Sequence, residues 1–321
     1  MPPIAPQPDL PNATISPLAC KMLHASECAY QIKNDGELDA QFCGSVIQQA
    51  VGAVGKVQDD QRDDLVRDAA FIGLMGNDVI IAFRGTQPPG SADAETVIAD
   101  WVNDAKAQPS HDQNMGTVHT GFLASLDNTW QPILRVLNEW KTAGKLGNSK
   151  IYITGHSKGG SIAQLAALRL KQGGFNVTEV YTFAASRAGG EDFASLYNAK
   201  NIPTWRFENQ GDIVPHLPPT QIELDTFHAL PYGILRELNG NGIYRSVGRL
   251  QYITSGLNIK DVSPEQDAQL NQQRLAWFKE EAKNEARHIH LFRTIVANHT
   301  LSAPKEGESS DHRYYRAVCG N

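Results

Sequence analysis

The chain has 321 residues, a formal net charge of −6 and 41% apolar residues, enough to bury a sizeable core in one large α/β unit. Those values leave no polybasic tract and no sustained field of one sign, so nucleic-acid binding is not expected. No stretch approaches the roughly 18 uninterrupted apolar residues of a membrane span.

The first eleven residues hold five prolines and lack the basic start and apolar run of a secretory signal. Residues 1–15 are therefore expected to be irregular, and a cytoplasmic chain, a leaderless export route and a trimmed secreted chain all remain open. "ISPLACKMLHASECAYQI" reads as a helix. The β-branched run "VIIAF" (79–83), stopped by Arg84-Gly85, reads as a buried strand. A second strand is predicted at 150–154, followed by a helix whose Ile162, Leu165, Ala166, Leu168 and Leu170 make it apolar around most of its girth and hence central. Strands at 177–185 and 204–209 follow, with a helix between them around "EDFASLYNA". Residues 243–254 resemble a hairpin. A long helix is predicted over 264 to about 297, opened by Ser263-Pro264-Glu265-Gln266, a capping box with proline at the first helical position. Strands alternating with helices imply right-handed crossovers, a mostly parallel sheet with helices on both faces, and reactive groups at the carboxyl ends of the strands. With no internal repeat, residues 1–321 read as one domain.

Gly155-His156-Ser157-Lys158-Gly159 is a G-x-S-x-G sequence with a strand before it and a helix after it. The bare pattern occurs by chance. In this context the flanking glycines remove Cβ atoms that would collide with strand and helix, the turn aims Ser157 Oγ at solvent, and the Lys158 backbone N–H faces a developing oxyanion. A serine hydroxyl needs a base oriented by an acid. Asp212 in "RFENQGDIVPHLPP" follows a strand in a proline-closed loop and is preferred to Glu208 inside the strand. His312 in "SSDHRYYRAVCG" gives the chain order Ser, Asp, His. The rival base is His299, late in the chain and just past the long helix.

The other histidines have plainer readings. His156 is a packing or hydrogen-bonding residue beside the turn, and His119 is structural. His288 and His290, two positions apart on a helix, lie on nearly opposite sides and make no metal pair. Four cysteines, Cys20, Cys28, Cys43 and Cys319, lack C-x-x-C spacing, which argues against zinc. Reduced thiols are the expectation, with a disulfide from Cys319 to Cys20 or Cys28 the alternative in an oxidising compartment. No metal or cofactor is expected.

"VIIAFRGT", "VHTGFLASL", "YITGHSKGG", "GDIVPHLPP" and "DHRYY" together resemble the class 3 lipases, the group that includes the secreted lipases of filamentous fungi. "YTFAASRAGG" also follows that pattern, with Ser186 where proline is usual. The resemblance implies an α/β-hydrolase fold, Ser157 as nucleophile, Asp212 as acid, His312 as base, and Thr86 with the Lys158 N–H as the oxyanion hole. It implies a serine carboxylic-ester hydrolase acting on glycerolipid acyl esters, with an acyl-ester lipid as partner at a lipid–water interface. Alternatives are a phospholipase A1-type enzyme, a soluble-substrate (feruloyl-like) esterase, and a catalytically silent binding protein. Residues 86–100, with Val97, Ile98 and Trp101, read either as a lid or as a surface loop. Lys158 replaces the leucine usual after the serine; it either attracts a phosphate headgroup or pairs with a carboxylate.

Overall fold

The computed structural model describes residues 10–33, 37–38, 43–44, 48–55, 68–86, 108–230, 241–282, 297–301 and 312–320. The first helix, α1 (Pro17–Cys28), opens where Ser16 accepts from Leu18 N at 3.2 Å, with Pro17 at the first helical position. A single 3₁₀ turn, Ala29–Gln31, extends it. Then come β1 (Gln48–Gly55), β2 (Asp68–Met75) and β3 (Asp78–Phe83), each antiparallel to the next. A short pair, β4 (Pro109–Asp112) and β5 (Gly116–His119), leads into α2 (Thr120–Thr142).

The turn that holds Ser157 lies between β6 (Ile151–His156) and α3 (Lys158–Gln172). Beyond it are β7 (Val177–Phe183), β8 (Gly189–Gly190), α4 (Glu191–Ala199), β9 (Thr204–Asn209) and α5 (Gln221–His228). Next are β10 (Tyr244–Arg245), β11 (Arg249–Ile253), β12 (Ile259–Val262), α6 (Pro264–Glu281) and α7 (Arg313–Cys319). The main sheet has the order β1-β2-β3-β6-β7-β9-β11-β12, and β3, β6, β7, β9 and β11 run parallel. The mostly parallel sheet expected from the sequence is present. A small second sheet has the order β10-β8-β5-β4.

Both faces of the main sheet are covered, and the strands alternate accordingly. On β3, Val79, Ile81 and Phe83 enter a core shared with Leu126, Ile133 and Leu165 from α2 and α3. Ile80 and Ala82 enter the opposite core with Met22 and Leu23 of α1 and Tyr314 of α7. Helix α3 is buried along nearly its whole length, as its girth of apolar residues predicts.

Two expectations change, and one is met in part. Residues 243–254 are not a hairpin: Tyr244–Arg245 joins the small sheet through β8, whereas Arg249–Ile253 pairs in parallel with β9 and turns back only as β12. Cys20 and Cys319 form a disulfide that joins α1 to α7, while Cys28 and Cys43 are free and buried; packing of α1 against α7 is what brings the two sulfurs together. The capping box of Ser263 and Gln266 is present, with reciprocal bonds of 3.3 and 3.0 Å, but the expected course of this helix beyond Glu281 lies outside the described residues. So do residues 87–107, which include the lid candidates, and His288 and His290.

Candidate active site

Ser157 is the one residue between β6 and α3, and its backbone has φ 56° and ψ −132°. A non-glycine residue there carries about 1–3 kcal/mol of strain, which the fixed ends of the turn impose. A Cβ on Gly155 would stand 2.2 Å from Gly159 O, and one on Gly159 would stand 2.2 Å from Phe83 O. Both glycines of the motif are therefore required by close approach of backbone to backbone. The turn is pinned by Ser157 N donating to Phe183 O at 3.0 Å and Gly160 N donating to Ser157 O at 2.9 Å. Lys158, first in α3, presents its N–H at the positive end of the helix dipole. Thr86 follows β3, the strand that pairs with β6, so the two expected oxyanion donors leave neighbouring strands at the same sheet edge. Ser157 itself is only 4% exposed, so the expected aim into open solvent does not hold.

At the same edge, three residues past β9, Asp212 is fully buried. Val214 N donates to its Oδ1 at 3.0 Å and the Tyr314 hydroxyl to its Oδ2 at 2.8 Å. Burial and the Asp212 charge together push the Tyr314 phenol well above its ordinary range, so it stays a donor. The imidazole on this carboxylate belongs to His299, whose Nδ1 lies 2.9 and 3.1 Å from the two oxygens. With Nδ1–H donated to Asp212, Nε2 is the nitrogen left to take a proton. The expected acid thus meets the rival base. His312 stands instead at the N-cap of α7 in a left-handed conformation, φ 36°, and is buried. Its neighbours reach the same loop: Arg313 Nε donates to Asn209 Oδ1 at 2.9 Å, and Tyr314 follows.

His299 is held from two sides. Asn209 Nδ2 donates to Asn298 O at 3.0 Å, and His156 Nε2 donates to His299 O at 2.8 Å, the only direction a carbonyl allows. His156 Nδ1 must then accept, and it does so from the Tyr30 hydroxyl at 2.8 Å. Burial, reinforced by His299, holds the His156 pKa well below its ordinary value, which matches this neutral tautomer. Its ring lies 4.5 Å from that of His299, which sets the His299 ring beside the residue preceding Ser157. His119 caps α2, accepting from Phe122 N at 3.3 Å, and stacks on Phe122. Both plain readings of these histidines agree with the geometry. Ser186, in place of a proline, bonds Ser161 of α3 at 2.7 Å.

Glu208 is excluded as the acid by its partners. It bridges Arg206 and Arg274, at 2.6 Å to the latter. Although burial opposes ionisation, the two guanidinium groups bring its pKa down to about 2. A cavity of about 650 Å³ beside this cluster is lined by Arg187, Arg206, Arg245, Arg249 and Arg274. These cations are paired with Glu223, Glu208, Asp267, Glu191 and Asp261, and the lining includes none of Ser157, Asp212 or Thr86. It is a charge-balanced layer apart from the site. Among the described residues the one group of metal-ligand type is Cys20, His24 and Cys319, two of whose sulfurs are bonded to each other.

Residues 80–222 match the family described as lipase (class 3). That segment is similar to the class 3 lipases. A lipase of Rhizomucor miehei is 34% identical over 148 residues, 44% of this chain and 38% of that protein. A secreted mono- and diacylglycerol lipase of Fusarium solani is 35% identical over 104 residues, 32% and 30% of the two chains. The alignments thus cover well under half the length of these relatives. Among solved structures, a Rhizomucor miehei lipase propeptide complex superposes with a TM-score of 0.59 over 92% of this chain and 83% of that one, at 20% identity. This likeness shows the α/β-hydrolase fold. The sequence did not reveal the Asp212–His299 contact or the Tyr30–His156 link, because 87 and 126 residues separate the partners.

Proposed function

We propose that this chain is a lipase of the class 3 type, a serine carboxylic-ester hydrolase cleaving acyl esters of glycerolipids. The observation that carries the reading is the His299 imidazole, held by Asp212 and lying against the ring that precedes the strained Ser157. Ser157 Oγ attacks the ester carbonyl while His299 Nε2 takes its proton. The carbonyl electrons move onto oxygen, stabilised by the N–H groups of Lys158 and Thr86, each worth roughly 3–4 kcal/mol in the transition state. Collapse of this intermediate breaks the ester bond, and the leaving alcohol takes the proton from His299. Water, deprotonated by the same nitrogen, then releases the acid and regenerates Ser157. Asp212 accepts the His299 Nδ1–H throughout and fixes the tautomer.

A second reading gives the base to His312. It is supported by the class 3 resemblance of "DHRYY" and by the Tyr314 hydroxyl, two residues beyond, bonded to Asp212 at 2.8 Å. Hydrolysis of p-nitrophenyl esters, triacylglycerol and phosphatidylcholine by wild type, His299→Ala and His312→Ala separates the two. Under the first reading His299→Ala loses about 10³-fold or more in kcat and His312→Ala keeps most of it; the reverse pattern gives the base to His312. Turnover of phosphatidylcholine or of soluble esters alone would move the substrate class, and no hydrolysis by wild type would leave a binding protein.

A further inference from the structure

Lys158 is an oddly placed cation. A positive side chain in the first turn of a helix stands at the positive end of the dipole, where it is disfavoured. Its ammonium crosses to Asp68, the first residue of β2, at 3.0 Å. Asp68 is only 6% exposed. Asn128 of α2 donates to its other oxygen at 2.9 Å. One residue on, Ala69 O accepts from Arg84 N at 2.9 Å, within the Phe83-Arg84-Gly85-Thr86 segment. The start of β2 therefore grips both expected oxyanion donors: Lys158 through its side chain, and the approach to Thr86 through the main chain. The two donor segments also meet directly, since Gly159 lies so close to Phe83 O that no Cβ fits between them.

We propose that Asp68 is a positioning residue, which through its ion pair with Lys158 holds the Lys158 N–H in register with the Thr86 segment. Lys158 is engaged by this pair and does not serve as a ligand for a phosphate headgroup. The inference rests on the reading of Ser157 as nucleophile with the Lys158 N–H as oxyanion donor. An amide displaced by an ångström or less stabilises the tetrahedral oxyanion less well without altering how the ground-state ester binds, so the loss falls on kcat.

The test compares Asp68→Asn, Lys158→Met, the double variant and Asp68→Glu on a p-nitrophenyl ester and on phosphatidylcholine. Melting temperature and the rate of phosphonylation by a p-nitrophenyl phosphonate, which mimics the tetrahedral state, are read alongside. Each single variant is expected to lose about tenfold in kcat and in phosphonylation rate with KM little changed. The double variant should be no worse than either single one, because both remove the same contact. Asp68→Glu, which keeps the carboxylate, should recover most of the rate. Lys158→Met reaches the pair from the other side, so misfolding of Asp68→Asn does not remove the test. Unchanged kcat in stable single variants, additive losses, or a Lys158→Met effect confined to KM for phosphatidylcholine would overturn the proposal. Ser157→Ala is run in parallel. If it stays active, the nucleophile reading itself fails; if it is inactive while the pair variants keep full kcat, only the positioning role fails.

Discussion

Glu208 and Asp212 stand four residues apart, both buried, and their surroundings give them different work. Glu208 sits between two guanidinium groups and is fixed as a structural anion. Asp212 faces an imidazole and two neutral donors, the setting of a carboxylate that orients a base. The sequence supports this choice through the proline-closed loop. It ranks the two histidines the other way, because chain order and the "DHRYY" pattern favour His312, whereas the contact depends on how the chain after α6 returns to β9. Asp212→Asn should lower kcat by about 10³–10⁴-fold while leaving KM within a small factor, since the amide presents the wrong partner to His299 Nδ1. Steady-state kinetics on a soluble ester measure both. Gly159→Ala tests the elbow differently: its methyl would stand 2.2 Å from Phe83 O, a backbone atom that cannot rotate away. A loss of about 2 kcal/mol or more in unfolding free energy, together with loss of activity, is expected from that overlap; a stable and active variant would contradict the packing described.

Among the elements, legibility follows period and burial. The run of β3 and the apolar girth of α3 are visible in sequence because burial on both faces leaves little room for polar residues. Helix α2 is less visible, although Phe122, Leu126, Thr129, Ile133, Val136 and Trp140 keep a helical period, because Pro132 interrupts it. Strands β8 and β10 have two residues each and no period to read. The capping box fixes where α6 begins, but its docking depends on charges that pattern does not reveal: Arg274 donates to Glu208 at 2.6 Å and to Asp212 O at 3.1 Å. The helix thereby braces the loop that carries Asp212. Arg274→Met should cost about 3 kcal/mol or more, because Glu208 loses one of its two cations while remaining buried. Urea unfolding reads that loss, and a change under 1 kcal/mol would mean that Arg206 alone satisfies the carboxylate.

For the whole molecule, the Cys20–Cys319 bond joins residues 299 positions apart in the chain. On the chain-entropy account it contributes about 5 kcal/mol, so Cys20→Ser with Cys319→Ser should move the denaturant midpoint down by a corresponding amount. An unchanged midpoint would show that packing of α1 on α7 suffices. Acid sensitivity should come in two stages. Burial, first of all, keeps His156 and His216 below their ordinary pKa, so below about pH 6.5 the unfolded chain takes protons that the folded one refuses, and stability falls as pH drops. Glu208 and Glu223 have depressed values; their contribution is complete above about pH 4.3 and is lost below it. Thermal melting from pH 8 to pH 3 should show a gentle decline beginning near pH 6.5 and a steeper one below about pH 4.3. A flat curve down to pH 5 would mean that the two histidines take up protons in the folded state.

The central claim is that Ser157 is a nucleophile activated at the strand-to-helix turn. Labelling with a fluorophosphonate, followed by mass spectrometry of the digested protein, tests it directly. The account predicts one stoichiometric adduct on the peptide containing Ser157, absent in Ser157→Ala and greatly slowed in Asp212→Asn. An adduct on another residue, or none on the intact folded protein, would contradict it.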